Sequence, residues 1–136
     1  MNPHQLSFPR VALDFMNRDH DEFAALRAKL LDLIAAGSPE GIDGLLDELQ
    51  RHTIRHFADE ETAMQETGFP PYPVHKAEHD AVLADMAARI ERWRRERDAE
   101  ALRQWLDAAV GDWLVNHVSS MDMVTAEFVA MQRQGR

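Results

Sequence analysis

Apolar residues recur at helical spacing in four segments of this chain, and no segment shows the alternation typical of a β-strand. Short breaks rich in proline, glycine or charge separate the segments: Gly37-Ser38-Pro39, Gly68-Phe69-Pro70-Pro71-Tyr72-Pro73 and Arg97-Asp98. Long amphipathic segments joined by short connections favour antiparallel neighbours. The chain is therefore predicted to be all-α, with an antiparallel up-down-up-down four-helix bundle.

Capping residues predict where the first two helices begin and end. The first helix is expected to start at about Asn17 or Asp19 and to end at Ala36. Ser38 is predicted to be the N-cap of the second helix and Pro39 its first residue, because these residue types are favoured there.

The remaining boundaries complete the predicted domain. Gly68 is expected to end the second helix, the third is expected to start near Pro73, and Asp98 is expected to cap the fourth. The whole chain, residues 1–136, is interpreted as one domain, with an N-terminal arm over 1–16 and the bundle over 17–132. The arm carries apolar residues and is expected to pack against the bundle.

Charge and composition exclude several kinds of partner. The formal net charge of -9 would repel nucleic acid and an anionic membrane, so neither is predicted as a partner. The basic run Arg92, Arg94, Arg95 and Arg97 is interpreted as a favourable interaction with the end of a helix dipole. The sequence has no cysteine and no apolar run of about 18 residues, which excludes thiol chemistry and a membrane-spanning helix. A cytoplasmic location is predicted.

Histidines interrupt the apolar stripes of all four predicted helices, and two acids join them. The set consists of His20, His56, Glu60, His75, His79, His117 and Asp122. An imidazole buried without a partner costs about 1–3 kcal/mol, so a lone core histidine is usually a hydrogen-bonded structural residue. Metal ligation, in contrast, would satisfy all of these imidazoles and carboxylates together. The set is therefore predicted to form a metal site.

The spacing within the set supports this interpretation. His56 and Glu60 are four residues apart, as are His75 and His79, so each pair lies on one face of its helix. Asp122 follows His117 by five residues, which corresponds to about 140° around a regular helix. Local over-winding or a π-type bulge would bring Asp122 back toward the centre. The spacing alone does not select this acid over others.

The donor types limit which metal could bind. Imidazole and carboxylate together suit iron, zinc, copper or nickel better than calcium or magnesium. The predicted ligands are too many for one ion of ordinary coordination number. They suit two ions bridged by carboxylates.

Four motifs in this order and spacing resemble the hemerythrin family, specifically its single-domain bacterial members. The resemblance covers nearly the whole chain. The motifs are Asn17-Arg18-Asp19-His20 with Phe23, His56-Phe57-Ala58-Asp59-Glu60-Glu61 with Met64, His75-Lys76-Ala77-Glu78-His79, and Trp113-Leu114-Val115-Asn116-His117-Val118 followed by Asp122.

The resemblance implies a role for each ligand. His75, His79 and His117 would hold one iron, and His20 and His56 would hold the other. The carboxylates of Glu60 and Asp122 would bridge the two ions, together with an oxo or hydroxo group. By this count the first iron is six-coordinate, whereas the second keeps an open position for a small ligand.

The resemblance also implies a function, which is reversible O2 binding at the iron held by His20 and His56, for storage, delivery or sensing. The chain is accordingly expected not to be an enzyme. An apolar pocket over the open position is expected to be lined by Phe23, Phe57, Trp113 and Val118. A di-iron enzyme acting on peroxide or nitric oxide, a separate O2-signalling module and a metal-storage or zinc protein are the alternatives. The sequence leaves the identity of any protein partner open.

Three residues depart from the family pattern. Asn17 stands where aspartate is common, His52 where tyrosine is usual, and Thr125 where many relatives have an aromatic residue. His52 lies one turn before His56 and is interpreted as a packing residue or a hydrogen-bond partner of a ligand. These differences are expected to affect O2 affinity and the rate of oxidation rather than metal binding.

Overall fold

The computed structural model describes residues 4–135, and these residues form four helices and no strand. The first three helices are regular: α1 spans Asp14–Ala35, α2 spans Ile42–Thr67 and α3 spans Tyr72–Glu96. Residues 1–3 of the predicted arm, together with Arg136, lie outside the described residues. The all-α bundle is confirmed, while the interpretation of residues 1–136 as a single domain stays a prediction.

The fourth helix, α4, contains two π-helical segments. Its α-helical parts are Ala99–Gln104, Gly111–His117 and Met123–Gln134. The π-helical segments are Trp105–Val110 and Val118–Asp122. Each of them widens one turn of the helix, because the hydrogen bonds there run between residues five apart. The second segment follows His117 directly and therefore affects the predicted site.

The predicted start of α2 at Ser38 is wrong. The backbone N–H of Ser38 donates to the carbonyl of Leu33 at 3.0 Å, so this residue helps to end α1. Gly37 has a φ of 65°, the left-handed conformation typical of a helix C-terminus. A turn follows, and α2 begins after Gly41, whose φ of 89° also favours glycine.

The other helix boundaries agree more closely with those predicted from the sequence. Gly68 ends α2 with a φ of 68°, and α3 begins at Tyr72 with Pro73 in its first turn. The carboxylate of Asp98 accepts a hydrogen bond from the N–H of Ala101 at 3.0 Å, which confirms it as an N-cap. The first helix starts earlier than predicted, at Asp14, so the arm that the structure describes is residues 4–13.

The core runs the length of the bundle between the four helices. Its largest fully buried apolar side chains are Met16, Leu30, Ile42, Leu46, Leu49, Met64, Met86, Ile90 and Leu106. Val11 and Leu13 of the arm are buried against the same core. Within residues 4–135, no helix has the length and apolar character needed to cross a membrane. The interface between α2 and α3 includes ion pairs from the basic run: Arg94 pairs with Asp47, and Arg97 with Asp43.

Arg27 on α1 is buried, and its guanidinium binds the first π-helical segment of α4. Its Nε donates to the carbonyl of Leu106 at 2.7 Å and its Nη2 to the carbonyl of Asp107 at 3.1 Å. Its Nη1 donates to the carbonyl of His4 in the arm at 2.8 Å. Arg27 therefore joins α1, α4 and the arm at one point. Gly111 leaves the space that this guanidinium occupies, since a Cβ there would lie 2.9 Å from its Nη2.

We expect Gly111→Ala to destabilise the protein by about 1–3 kcal/mol, because Arg27 is held by carbonyl groups and cannot easily move away from the new methyl group. Urea unfolding should show the loss. Gly44→Ala on α2 is the matched control: a Cβ there meets nothing within 4 Å, so helix propensity should stabilise that variant by up to about 1 kcal/mol. Equal effects of the two substitutions would contradict this role of Gly111.

Candidate metal centre

All seven predicted ligands converge at one buried place in the bundle. Each helix contributes to it, and the most exposed of the seven, His56, is only 6 % exposed. The contributions are His20 from α1, His56 and Glu60 from α2, His75 and His79 from α3, and His117 and Asp122 from α4. The ligand atoms form two groups, and within each group all of them lie within 4.8 Å of one another. The first group is Glu60 with His75, His79, His117 and Asp122, and the second is Glu60 with His20 and His56.

Glu60 offers one carboxylate oxygen to each group of histidines. Its Oε2 lies 2.5 Å from Nε2 of His56, and its Oε1 lies 3.1 Å from Nε2 of His79. The side chain is therefore placed between the two groups, in the position of a bridge.

Asp122 has the same arrangement on α4. Its Oδ2 lies 2.9 Å from Nε2 of His20, and its Oδ1 lies 3.1 Å from Nε2 of His117. The π-helical segment Val118–Asp122 makes this possible, because its wider turn brings a residue five positions after His117 back to the same face. Of the two possibilities that the spacing left open, over-winding and a π-type bulge, the structure shows the bulge.

Several of these atoms lie close to one another without forming hydrogen bonds of normal geometry. Among residues 4–135, this holds for both oxygens of Glu60, Oδ1 of Asp122 and Nε2 of His79, all of which are buried. Buried polar groups are rarely left unpaired, because the free-energy cost is high. Convergent unpaired atoms of imidazole and carboxylate type fit a pair of transition-metal ions.

The electrostatics of the site also favour a cation. Burial lowers the pKa of His56, but the charge of Glu60 and the hydrogen bond to Asp19 outweigh it and raise this pKa to about 10. Burial likewise lowers the pKa of His75, and the neighbouring carboxylates of Asp122 and Glu60 outweigh it, raising this pKa to about 9. The two central carboxylates thus attract positive charge into a site from which water is excluded.

Asp19 is a candidate functional residue that sequence reasoning missed. It is fully buried, and its Oδ2 accepts a hydrogen bond from Nδ1 of His56 at 2.8 Å. Its Oδ1 accepts one from Arg55 at 3.3 Å. Burial raises the pKa of Asp19, but these partners outweigh it and hold the pKa well below the ordinary value. A carboxylate on Nδ1 directs Nε2 of His56 into the site. The pattern quoted around His20 contained Asp19, but nothing in it pointed to this contact.

Two further side chains orient ligands on α3. The Oγ1 of Thr125 lies 2.8 Å from Nδ1 of His75, and Oε2 of Glu61 lies 3.0 Å from Nδ1 of His79. Both contacts leave Nε2 of the imidazole facing the carboxylates. Thr125, which departs from the family pattern, therefore contacts a predicted ligand directly.

His52 does not join either ligand group around Glu60. Its Nε2 lies 3.2 Å from Glu22, and its ring stacks on His56 with centroids 6.4 Å apart. This placement agrees with the interpretation of His52 as a residue that packs beside a ligand.

A small cavity of about 10 Å³ lies beside His20 and His56, and three of the four predicted pocket residues line it: Phe23, Phe57 and Trp113. A volume of this size holds about one water-sized molecule. The structure places Val118 in the apolar core instead, since consecutive helical residues point about 100° apart and His117 faces the site. A role of Val118 in the pocket stays a prediction.

Two of the aromatic residues stack on ligands. The ring of Phe57 is parallel to that of His79 at 3.8 Å between centroids, and Trp113 stacks on His117 at 4.7 Å. Trp113 in turn donates from its Nε1 to Glu78 at 3.0 Å. These contacts restrict the rotation of the imidazoles and keep the cavity wall apolar.

The fold and the site together define a four-helix-bundle protein with a buried histidine and carboxylate centre for two metal ions. Residues 11–129 match the family model described as the hemerythrin HHE cation binding domain. The chain belongs to the hemerythrin family.

Individual relatives agree with this assignment. The chain is 34 % identical over 113 residues to a bacteriohemerythrin of Aquifex aeolicus, covering 83 % of this chain and 86 % of that one. It is 29 % identical to a myohemerythrin of Riftia pachyptila, with 83 % and 82 % covered. A crystal structure of wild-type hemerythrin superimposes with a TM-score of 0.75 at 29 % identity, covering 88 % of this chain and 90 % of that chain. The resemblance drawn from the motifs is confirmed.

Proposed function

We propose that this protein binds O2 reversibly at two iron ions held between the four helices. The observation that supports it best is that Glu60 and Asp122 each present one oxygen to each group of histidines. Membership of the hemerythrin family points to the same activity, and to a binding protein rather than an enzyme. Two ferrous ions, when bound, supply the two electrons that reversible O2 binding requires.

The proposed ligands divide unequally between the two ions. His75, His79 and His117 would hold one ion and His20 and His56 the other, with Glu60 and Asp122 shared. The ion beside His20 and His56 therefore has one protein ligand fewer. We place O2 binding at this ion, because an incomplete ligand set leaves room for a small molecule.

The surroundings of His20 and His56 fit a small apolar ligand. The adjoining cavity has room for about one small molecule, and Phe23, Phe57 and Trp113 contribute apolar walls. These side chains exclude water and so slow the proton transfer that would turn reversible binding into oxidation. A cytoplasmic location and the lack of a nucleic-acid partner stay predictions of the sequence, which names no protein partner.

The expected result of anaerobic reduction is a colourless protein containing two irons per chain, which gains a visible absorption band in air and loses it when O2 is removed. Absorption spectroscopy with metal analysis measures both quantities. A protein that passes directly to the ferric form, with no band that reverses, would contradict reversible binding. Purification with zinc instead of iron would contradict the assignment of the metal.

A further inference from the structure

The N-terminal arm runs antiparallel to α1 and is attached to it at successive points. The guanidinium of Arg10 binds both carboxylate oxygens of Asp21, at 2.9 and 2.6 Å. Further toward the N-terminus, the carbonyl of His4 accepts from Arg27 at 2.8 Å. Arm residues with decreasing numbers therefore contact α1 residues with increasing numbers.

Asn17, just under one turn before His20 on α1, makes a third attachment to the arm. Its Oδ1 accepts from the backbone N–H of Val11 at 2.8 Å, and its Nδ2 donates to the carbonyl of Val11 at 2.9 Å. Both polar backbone groups of Val11 are thus satisfied by one side chain, in a residue that is 9 % exposed. Only an amide can do this, since a carboxylate in the same place would oppose the carbonyl with a second oxygen.

The arm contacts the histidine ligand on the open side of the proposed site. Phe8 meets the ring of His20 edge-on, with centroids 6.2 Å apart and an interplanar angle of 89°. The Nδ1 of His20 is buried and has no hydrogen-bond partner among residues 4–135. The corresponding atom of His56 does have a partner, in Asp19. Water is therefore kept from the His20 ring by apolar packing rather than by a polar partner.

We propose that arm residues 4–13 are a cover over the His20 side of the centre, and that Asn17 is the positioning residue that holds this cover closed. The proposal rests on the proposed function in one respect, since it assigns the cover to the ion that binds O2. When the cover opens, Phe8 leaves His20 and water reaches the ligand. Oxidation in air and loss of iron then become faster, without any change in the ligands.

Asn17→Asp tests whether the hydrogen bonds between Asn17 and Val11 hold the cover closed. We expect trypsin to cleave after Arg10 about tenfold faster, because losing one hydrogen bond and gaining a repulsion raises the open population by about that factor. We expect an added chelator to remove ferrous iron under anaerobic conditions about tenfold faster as well, since both rates follow the open population. Asn116→Asp is the matched control: it adds the same charge at an exposed position of α4 and should leave both rates unchanged.

Phe8→Ala tests the cover separately from the Asn17–Val11 hydrogen bonds that hold it closed. This variant keeps the contacts between Asn17 and Val11, so iron removal should become faster while cleavage after Arg10 changes little. An unchanged cleavage rate in Asn17→Asp would show that Asn17 does not hold the arm closed. Faster cleavage without faster iron removal would show that the arm does not cover the metal centre. Neither rate depends on O2, so failure of the proposed function would instead appear as the lack of a reversible absorption band in the parent protein.

Discussion

Replacing Glu60 by alanine is expected to reduce the iron content from two ions per chain to less than one and to destabilise the iron-loaded protein by about 3–5 kcal/mol. The substitution removes the carboxylate that faces both groups of histidines and leaves their imidazoles in a buried site without it. Metal analysis measures the first effect. Thermal unfolding of protein reconstituted with ferrous iron measures the second.

Asp59→Ala is the appropriate control for Glu60→Ala. Asp59 is the neighbouring acid on α2, is exposed, and pairs with Arg55 at the surface, at 3.1 Å. Losing such a pair costs about 0–1 kcal/mol. Retention of two irons in Glu60→Ala would show that the bridging assignment is wrong. An equal loss of iron in both variants would show that total negative charge, rather than the position of Glu60, controls binding.

The sequence predicted the parts of the site that depend on regular helical geometry. His56 with Glu60 and His75 with His79 are four residues apart, so each pair lies on one face in any regular α-helix. Asp122 was different: its distance from His117 fits the site only if the helix contains a π-helical segment. Such a segment depends on tertiary contacts, and the sequence could name it only as a possibility.

Contacts between distant residues were the parts that the sequence could not predict. Asp19 looks like an ordinary acid beside His20, and its contact with His56 depends on how α1 packs on α2. Arg27 reaches the π-helical segment of α4 across 79 residues of chain. The error at Ser38 has a different, local cause. Its residue type suits an N-cap, but its backbone N–H is already used to end α1.

Asp19→Asn is expected to weaken iron binding by about 10–100-fold at the ion held by His20 and His56, and much less at the other ion. The amide keeps the size of the side chain but removes the negative charge that Nδ1 of His56 contacts at 2.8 Å. His56 then becomes a poorer donor and is less firmly oriented. Removal of iron by a chelator should therefore occur in two phases, the faster one corresponding to about one ion per chain.

Thr125→Val is the matched control. It removes the hydroxyl that lies 2.8 Å from Nδ1 of His75, a ligand of the other ion, which is the same distance as in the contact between Asp19 and His56. That partner is neutral, so its loss should weaken binding less than the loss of the Asp19 charge. If the proposed division of ligands is correct, O2 binding should fail in Asp19→Asn and largely persist in Thr125→Val, since the ion beside His20 and His56 is the one with the open position. Equal loss of O2 binding in both variants would contradict the assignment of the open position to the ion beside His20 and His56.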